Sequence, residues 1–155
     1  MKFAGFLSAI IGVASMPTLS IAQAEESEFT FDCQTRDGVL TTVAQSSDGE
    51  VELPVFLWKS DVLPEQSDPT KVCTYVSQKM DNYARNYDVS NVSFIGTAIE
   101  NVPAVCMNNP DTRSDCGIVL FTLPPAEENA ALIAGKFVDS ILSPNLNPKR
   151  DAETR

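Results

Sequence analysis

Apolar positions alternate with polar ones in EFTFDCQ, putting Phe29, Phe31 and Cys33 on one face of an extended segment. RDG at Arg36 to Gly38 is a turn signal, and the β-branched VLTTVAQ after it reads as the return arm of a hairpin. SSDGE breaks the chain, and LPVFLWKS from Leu53 to Ser60 supplies a third, mostly apolar strand. The period then changes. Asp68-Pro69 is an N-cap followed by an N1 proline. Beyond it Val72, Cys73, Val76, Met80, Tyr83, Ala84 and Tyr87 recur at spacings of three and four, which predicts an amphipathic helix ending near Tyr87.

The next stretch follows the same order. NVSFIGTAIENVPAVCMN predicts a second hairpin with Glu100-Asn101 at its tip, and Gly96 in its first arm marks a bulge or a close backbone approach. GIVLFTLPP is apolar on both faces and belongs inside a sheet. Glu127 and Glu128 open a second helix whose positive end they complement. Ala130, Ile133, Ala134, Phe137, Val138, Ile141 and Leu142 line its expected buried stripe. The order βββαβββα predicts an α+β fold, a largely antiparallel sheet of about six strands packed by two helices. Two βββα halves raise the question of duplication, yet no internal repeat stands out in the residues.

The two ends of the chain read differently from its middle. Residues 1–24 carry Lys2, an apolar run from Phe3 to Val13 and an Ala22-x-Ala24 ending, the marks of a secretory signal peptide. That run is short of the roughly 20 apolar residues a spanning helix needs. Residues 25–142 remain as a single domain, a length that buries roughly two-thirds of its unfolded surface. Residues 143–155, with Pro144 and Pro148 and little apolar content, read as a disordered tail. The expected location is therefore the periplasm, a thylakoid lumen or the exterior, with no transmembrane segment in the mature chain.

Charge narrows the partners. The chain has 11 Lys plus Arg against 21 Asp plus Glu, a formal net charge of −10. Such a surface repels phosphate backbones and anionic lipid head groups, which argues against nucleic acid and against direct electrostatic docking on a membrane. Four cysteines, Cys33, Cys73, Cys106 and Cys116, in an exported chain read as two disulfides with three connectivities open. The turn-rich Asn-Asn-Pro insert after Cys106 brings strand ends together and favours Cys106 with Cys116. Cys33 is then left to clamp Cys73, and with it the first helix, onto the first strand.

Candidate chemistry is sparse. The sequence has no histidine, which removes Ser-His-Asp and Cys-His nucleophiles and His-ligated zinc or iron. Glu25, Glu26 and Glu28 near the leader junction, and Asp48 with Glu50 in a turn, cannot be set against one another at the separation acid–base hydrolysis needs. Lys59-Ser60 is adjacent in sequence but on opposite faces of a strand. No catalytic residue and no cofactor is expected. CMNNPDTRSDC offers more: Asn108, Asn109, Asp111, Arg113 and Asp115 form an expected recognition loop. Asp111 and Asp115 are its calcium candidates, but calcium takes about six to eight oxygens, the EF-hand pattern is not met, and Arg113 lies between them. Trp58, read with Phe56 on the other strand face, is a sugar-stacking platform or a core anchor. Tyr83 and Tyr87 are a partner surface or a core rim.

FDCQTRDGVLTTVA, LPVFLWKS, KVCTYVSQKMD, FIGTAIENVPAVCMN and DCGIVLFTLPP occur in an order that resembles the cyanobacterial circadian oscillating protein (COP) domain family. The likeness runs from about Phe29 to Leu142. It departs in the hairpin, where Gly96, Asn101, Pro103, Val105 and Cys106 carry one residue more than the family spacing, and at Lys71-Val72-Cys73, where a basic residue and Cys are separated. The resemblance implies a small exported protein of a photosynthetic bacterium, structural cysteines, and no catalytic residues to carry over. The expected function is a non-catalytic exported module that binds a protein or a membrane-associated partner. The alternatives are a carboxylate-dependent hydrolase of envelope polymers and a secreted protease inhibitor.

Overall fold

A computed structural model describes residues 28–112 and 115–146. The expected signal peptide, residues 147–155 of the expected tail, and Arg113 lie outside the described residues. The first half is a meander of β1 (Phe29–Arg36), β2 (Val39–Ser46) and β3 (Glu52–Trp58), followed by helix α1 (Pro69–Ala84). The second half is β4 (Ser93–Ile99), β5 (Val102–Asn108) and β6 (Ile118–Thr122), followed by α2 (Ala130–Ile141). The expected class, order and antiparallel pairing hold, and the six strands divide into two sheets, β1-β2-β3 and β4-β5-β6. Each helix packs chiefly on its own sheet, α1 on β1 and β2, α2 on β4 and β5.

Local chemistry explains the ends of these elements. The β1–β2 turn has positive φ at Asp37 (50°) and Gly38 (78°), and the β4–β5 turn at Glu100 (50°) and Asn101 (64°). Both are the two-residue type I′ turns whose twist matches antiparallel strands. Asp68 caps α1 by accepting from the Thr70 N–H at 2.9 Å, with Pro69 behind it. The second helix begins later than expected. Asn129 is left-handed (φ 59°), so Glu127 and Glu128 precede the helix instead of opening it. At the other helix, α1 ends at Ala84, and Tyr87 is 52% exposed.

The two halves share one register. Cys33 pairs with Thr42 as Gly96 pairs with Val105, and Thr42 pairs with Phe56 as Val105 pairs with Phe121. Both central strands shift register at the same place, between Thr42 and Val43 and between Val105 and Cys106. Cys73 and Ala134 are each the fifth residue of their helix. A repeat invisible in the residues is thus present in the backbone. At its helix–sheet crossing the first half joins Cys33 to Cys73 by a disulfide, Cα–Cα 5.6 Å. The second half instead brings backbones together, since a Cβ on Gly96 would lie 2.2 Å from Ala134 C and Gly135 N. The close approach expected at Gly96 is therefore this crossing. It centres the buried stripe of α2 on Ala134, and Ile133, about 100° further round the helix, is turned out and exposed where the periodicity suggested burial.

One core spans both halves. Phe56 lies edge-on to Phe94 at 4.7 Å, Trp58 to Phe121 at 6.1 Å, and Phe121 stacks on Phe137 at 5.7 Å. Phe56 and Trp58 are two residues apart, so they share a strand face, not opposite ones, with ring centroids 5.5 Å apart. Trp58 is a buried core anchor: its Nε1–H donates to Thr42 Oγ1 at 2.9 Å, and Thr42 Oγ1 and Ser77 Oγ are 2.9 Å apart. Sugar stacking is thereby removed. Order also continues past residue 142. Leu142 forms an antiparallel bridge with Phe56, the buried Ser143 donates its N–H to Val55 O at 2.8 Å, and Leu146 packs on the core.

Candidate functional site

The Cys106–Cys116 disulfide is formed, with Cα atoms 5.3 Å apart, and Asn108 ends β5 half-buried. Asn109 of the expected recognition loop is buried. It is 2% exposed, and its Nδ2 donates to Tyr83 Oη at 3.3 Å and to Asp88 O at 3.1 Å. Its Oδ1 accepts from the Asp111 N–H at 3.0 Å, and its carbonyl accepts from Thr112 N–H and Oγ1. This side chain braces the loop against the end of α1. A side chain at Gly117 would crowd the same place, its Cβ falling 2.9 Å from Met107 O and 3.2 Å from Tyr83 Oη. Asp111 and Asp115 are exposed. Among the described residues, no three His, Cys, Asp or Glu side chains gather to hold a metal ion. Tyr83 and Tyr87 stack with centroids 4.5 Å apart, the first buried and the second outside, so the pair is the rim of the core.

A different region combines a concave shape with unmatched charge. Between α1 and β6 runs a groove of about 450 Å³, lined by Lys71, Val72, Tyr75 and Lys79 from the helix and by Val119 to Thr122 from the strand. Lys71, Tyr75 and Lys79 are spaced by four, so one helix face carries all three. Tyr75 is 56% exposed, and Lys79 Nζ donates to its Oη at 3.2 Å while standing 5.3 Å from the ring centroid. Leu120 is buried, and Val72, Val119 and Phe121 are half-buried, giving the groove an apolar floor. The ion pairs among the described residues are Arg36–Glu52 and Arg85–Asp81, and neither groove lysine takes part in one. Sequence reasoning missed this site. The Lys-x-x-x-Tyr-x-x-x-Lys row is visible, but alone it is indistinguishable from a solvated helix face, and nothing in sequence brings β6 beside it.

Electrostatics elsewhere serves turns. Hydrogen bonds from the Ser46 hydroxyl and the Glu50 N–H hold Asp48 below the usual carboxylate range. Arg36 does the same for Glu52, and the Ser90 hydroxyl, at 2.7 Å, and N–H for Asp88. None of these three carboxylates lines the groove. A smaller hollow of about 160 Å³ under Phe29, Phe31, Phe94 and Leu146 has Ser90 as its one polar lining residue, which leaves little to orient a ligand.

No helix among the described residues is long and apolar enough to cross a membrane. The two disulfides fit a protein kept outside the reducing cytoplasm. No curated protein and no solved structure matches the chain. The model of the family described as Circadian oscillating protein COP23 matches residues 30–144. That span takes in both βββα halves, both disulfides and the groove, and the chain belongs to the circadian oscillating protein COP23 family.

Proposed function

We propose that this COP23 domain is a non-catalytic, exported protein-interaction module, working in the periplasm, a thylakoid lumen or the exterior. The observation that carries the reading is the α1–β6 groove, an apolar floor under two unpaired lysines on a chain of formal net charge −10. Apolar area with a few oriented charges suits recognition, and a scaffold cross-linked by two disulfides presents it at low entropic cost. Family membership names no reaction, and the absent histidine removes the commonest general base from any catalytic scheme.

Photo-cross-linking in the producing cell tests this reading. A benzophenone side chain at Tyr75 should give a discrete adduct with another protein. The same probe at Lys136, the counterpart of Tyr75 on α2 and also exposed, should not. Equal labelling from both positions would overturn the reading, and no adduct together with hydrolysis of an envelope polymer by the purified protein would replace it with the hydrolase alternative.

A further inference from the structure

The four sheet edges of this molecule are not treated alike. On β1 the Phe31 N–H is satisfied by Asp81 Oδ1 of α1 at 3.1 Å. On β4 the helix α2 covers the face at Gly96, but among the described residues no hydrogen bond reaches the outer edge of Ser93–Ile99. On β3 the chain leaving α2 turns extended at Leu142 (φ −63°, ψ 134°) and bridges Phe56, and the Ser143 N–H donates to Val55 O. The edge of β6 is open too. Among the described residues, no hydrogen bond reaches the outer edge of Ile118–Thr122. Of the two open edges, the groove lies along that of β6, because α1 and β6 line it and no residue of β4 or β5 does.

We propose that the outer edge of β6 takes an extended, acidic segment of a partner protein as an added strand, a proposal that rests on the interaction reading above. An unpaired edge is a template for strand addition, with main-chain bonds giving affinity and alternate side chains giving specificity. The molecule carries its own precedent. By register β3 is the counterpart of β6, and its outer edge is filled by extended backbone, the Leu142–Ser143 segment. The helix rim sets the partner's side chains. Lys71 and Lys79 are eight residues apart on α1, about 12 Å at 1.5 Å per residue. Residues i and i+4 of a strand lie on one face about 13 Å apart. An acidic residue at each of those positions meets the two lysines, and an apolar residue at i+2 meets Tyr75 and Val72. The recognised pattern is therefore acid-x-apolar-x-acid in extended form.

The test uses the oxidised protein, isotope-labelled, and the acetylated, amidated peptide Thr-Glu-Thr-Val-Thr-Glu-Thr. Titration should shift the amides of Ile118–Thr122 and of residues 71–79 and slow hydrogen exchange along β6. Lys71→Glu with Lys79→Glu, both on the surface, should weaken binding at least tenfold, and so should exchanging both peptide glutamates for lysine. A peptide of unchanged charge but N-methylated at alternate amides should lose binding, which separates strand pairing from charge attraction. The proposal is overturned if the N-methylated peptide binds equally, if β6 amides stay unmoved, or if the lysine variants bind anionic phosphatidylglycerol vesicles less while the peptide is indifferent to them. If the Tyr75 adduct survives in the double lysine variant, the interaction reading stands and strand addition falls.

Discussion

At the same point of the same backbone, the first half of this molecule uses a covalent bond and the second uses a missing side chain. Cys33 and Cys73 hold α1 to β1, while Gly96 lets α2 settle directly on β4. The contrast continues around each crossing. Thr42, Ser77 and Trp58 form a buried hydrogen-bonded chain in the first half. Their register counterparts, Val105, Val138 and Leu123, are all apolar and all buried. A βββα unit can evidently be secured by cross-linking and polar networks or by close packing alone. The solutions are not interchangeable in both directions, since a cysteine at Gly96 would put its Cβ into the helix backbone.

The comparison breaks most violently at Gly96. Gly96→Val places three carbons where backbone atoms stand 2.2 Å from the first of them. A loss of about 4 kcal/mol or more is expected, at the severe end for single substitutions, read by denaturant unfolding of the oxidised protein. Next comes removal of the first half's clamp. Cys33→Ala with Cys73→Ala opens a loop of sequence separation 40, for which chain entropy gives about 4 kcal/mol. The separation of 10 between Cys106 and Cys116 gives about 3 kcal/mol, so differential scanning calorimetry should rank the two double variants in that order. Should the second pair cost more, loop length does not set the ranking and the comparison needs revision.

Thr42→Val moves the second half's residue into the first. It orphans the Trp58 N–H and the Ser77 hydroxyl, a cost of about 1–3 kcal/mol. Adding Ser77→Ala should cost less than its own single effect, because it deletes one orphan; strict additivity in a double-mutant cycle would deny that the three residues act together. The smallest expected effect is acid sensitivity. Asp48, Glu52 and Asp88 have folded-state pKa values below their unfolded ones. Their stabilisation is therefore complete above the ordinary carboxylate range of about 4 and is lost as pH falls through the lower folded values. Thermal unfolding between pH 6 and 3 should show a modest decline, part of which Arg36→Gln abolishes by removing the partner of Glu52.

Much of this was legible in order but not in space. Asp68-Pro69, Asp37-Gly38 and the alternation of Phe29, Phe31 and Cys33 announce local structure because each acts through neighbours in the chain. Gly96 was legible as a close approach, though not what approaches it. The repeat stayed hidden because the halves keep geometry while changing chemistry, with Cys opposite Gly, Thr opposite Val and Trp opposite Leu at matching positions. The burial of Asn109 was likewise unreadable, since its partners Tyr83 and Asp88 arrive from α1 and the chain just beyond it. The groove depends on β6 lying beside a helix that precedes it by more than thirty residues.

The connectivity of the two disulfides has a consequence for biogenesis. Each cysteine is joined to the next one along the chain, Cys33 to Cys73 and Cys106 to Cys116, and the two loops neither overlap nor nest. A polypeptide threaded N-terminus first past an oxidant, and oxidised in order of emergence, arrives at the native pairing directly. Its thiols need no reshuffling, the slow step by which a mispaired bond is corrected.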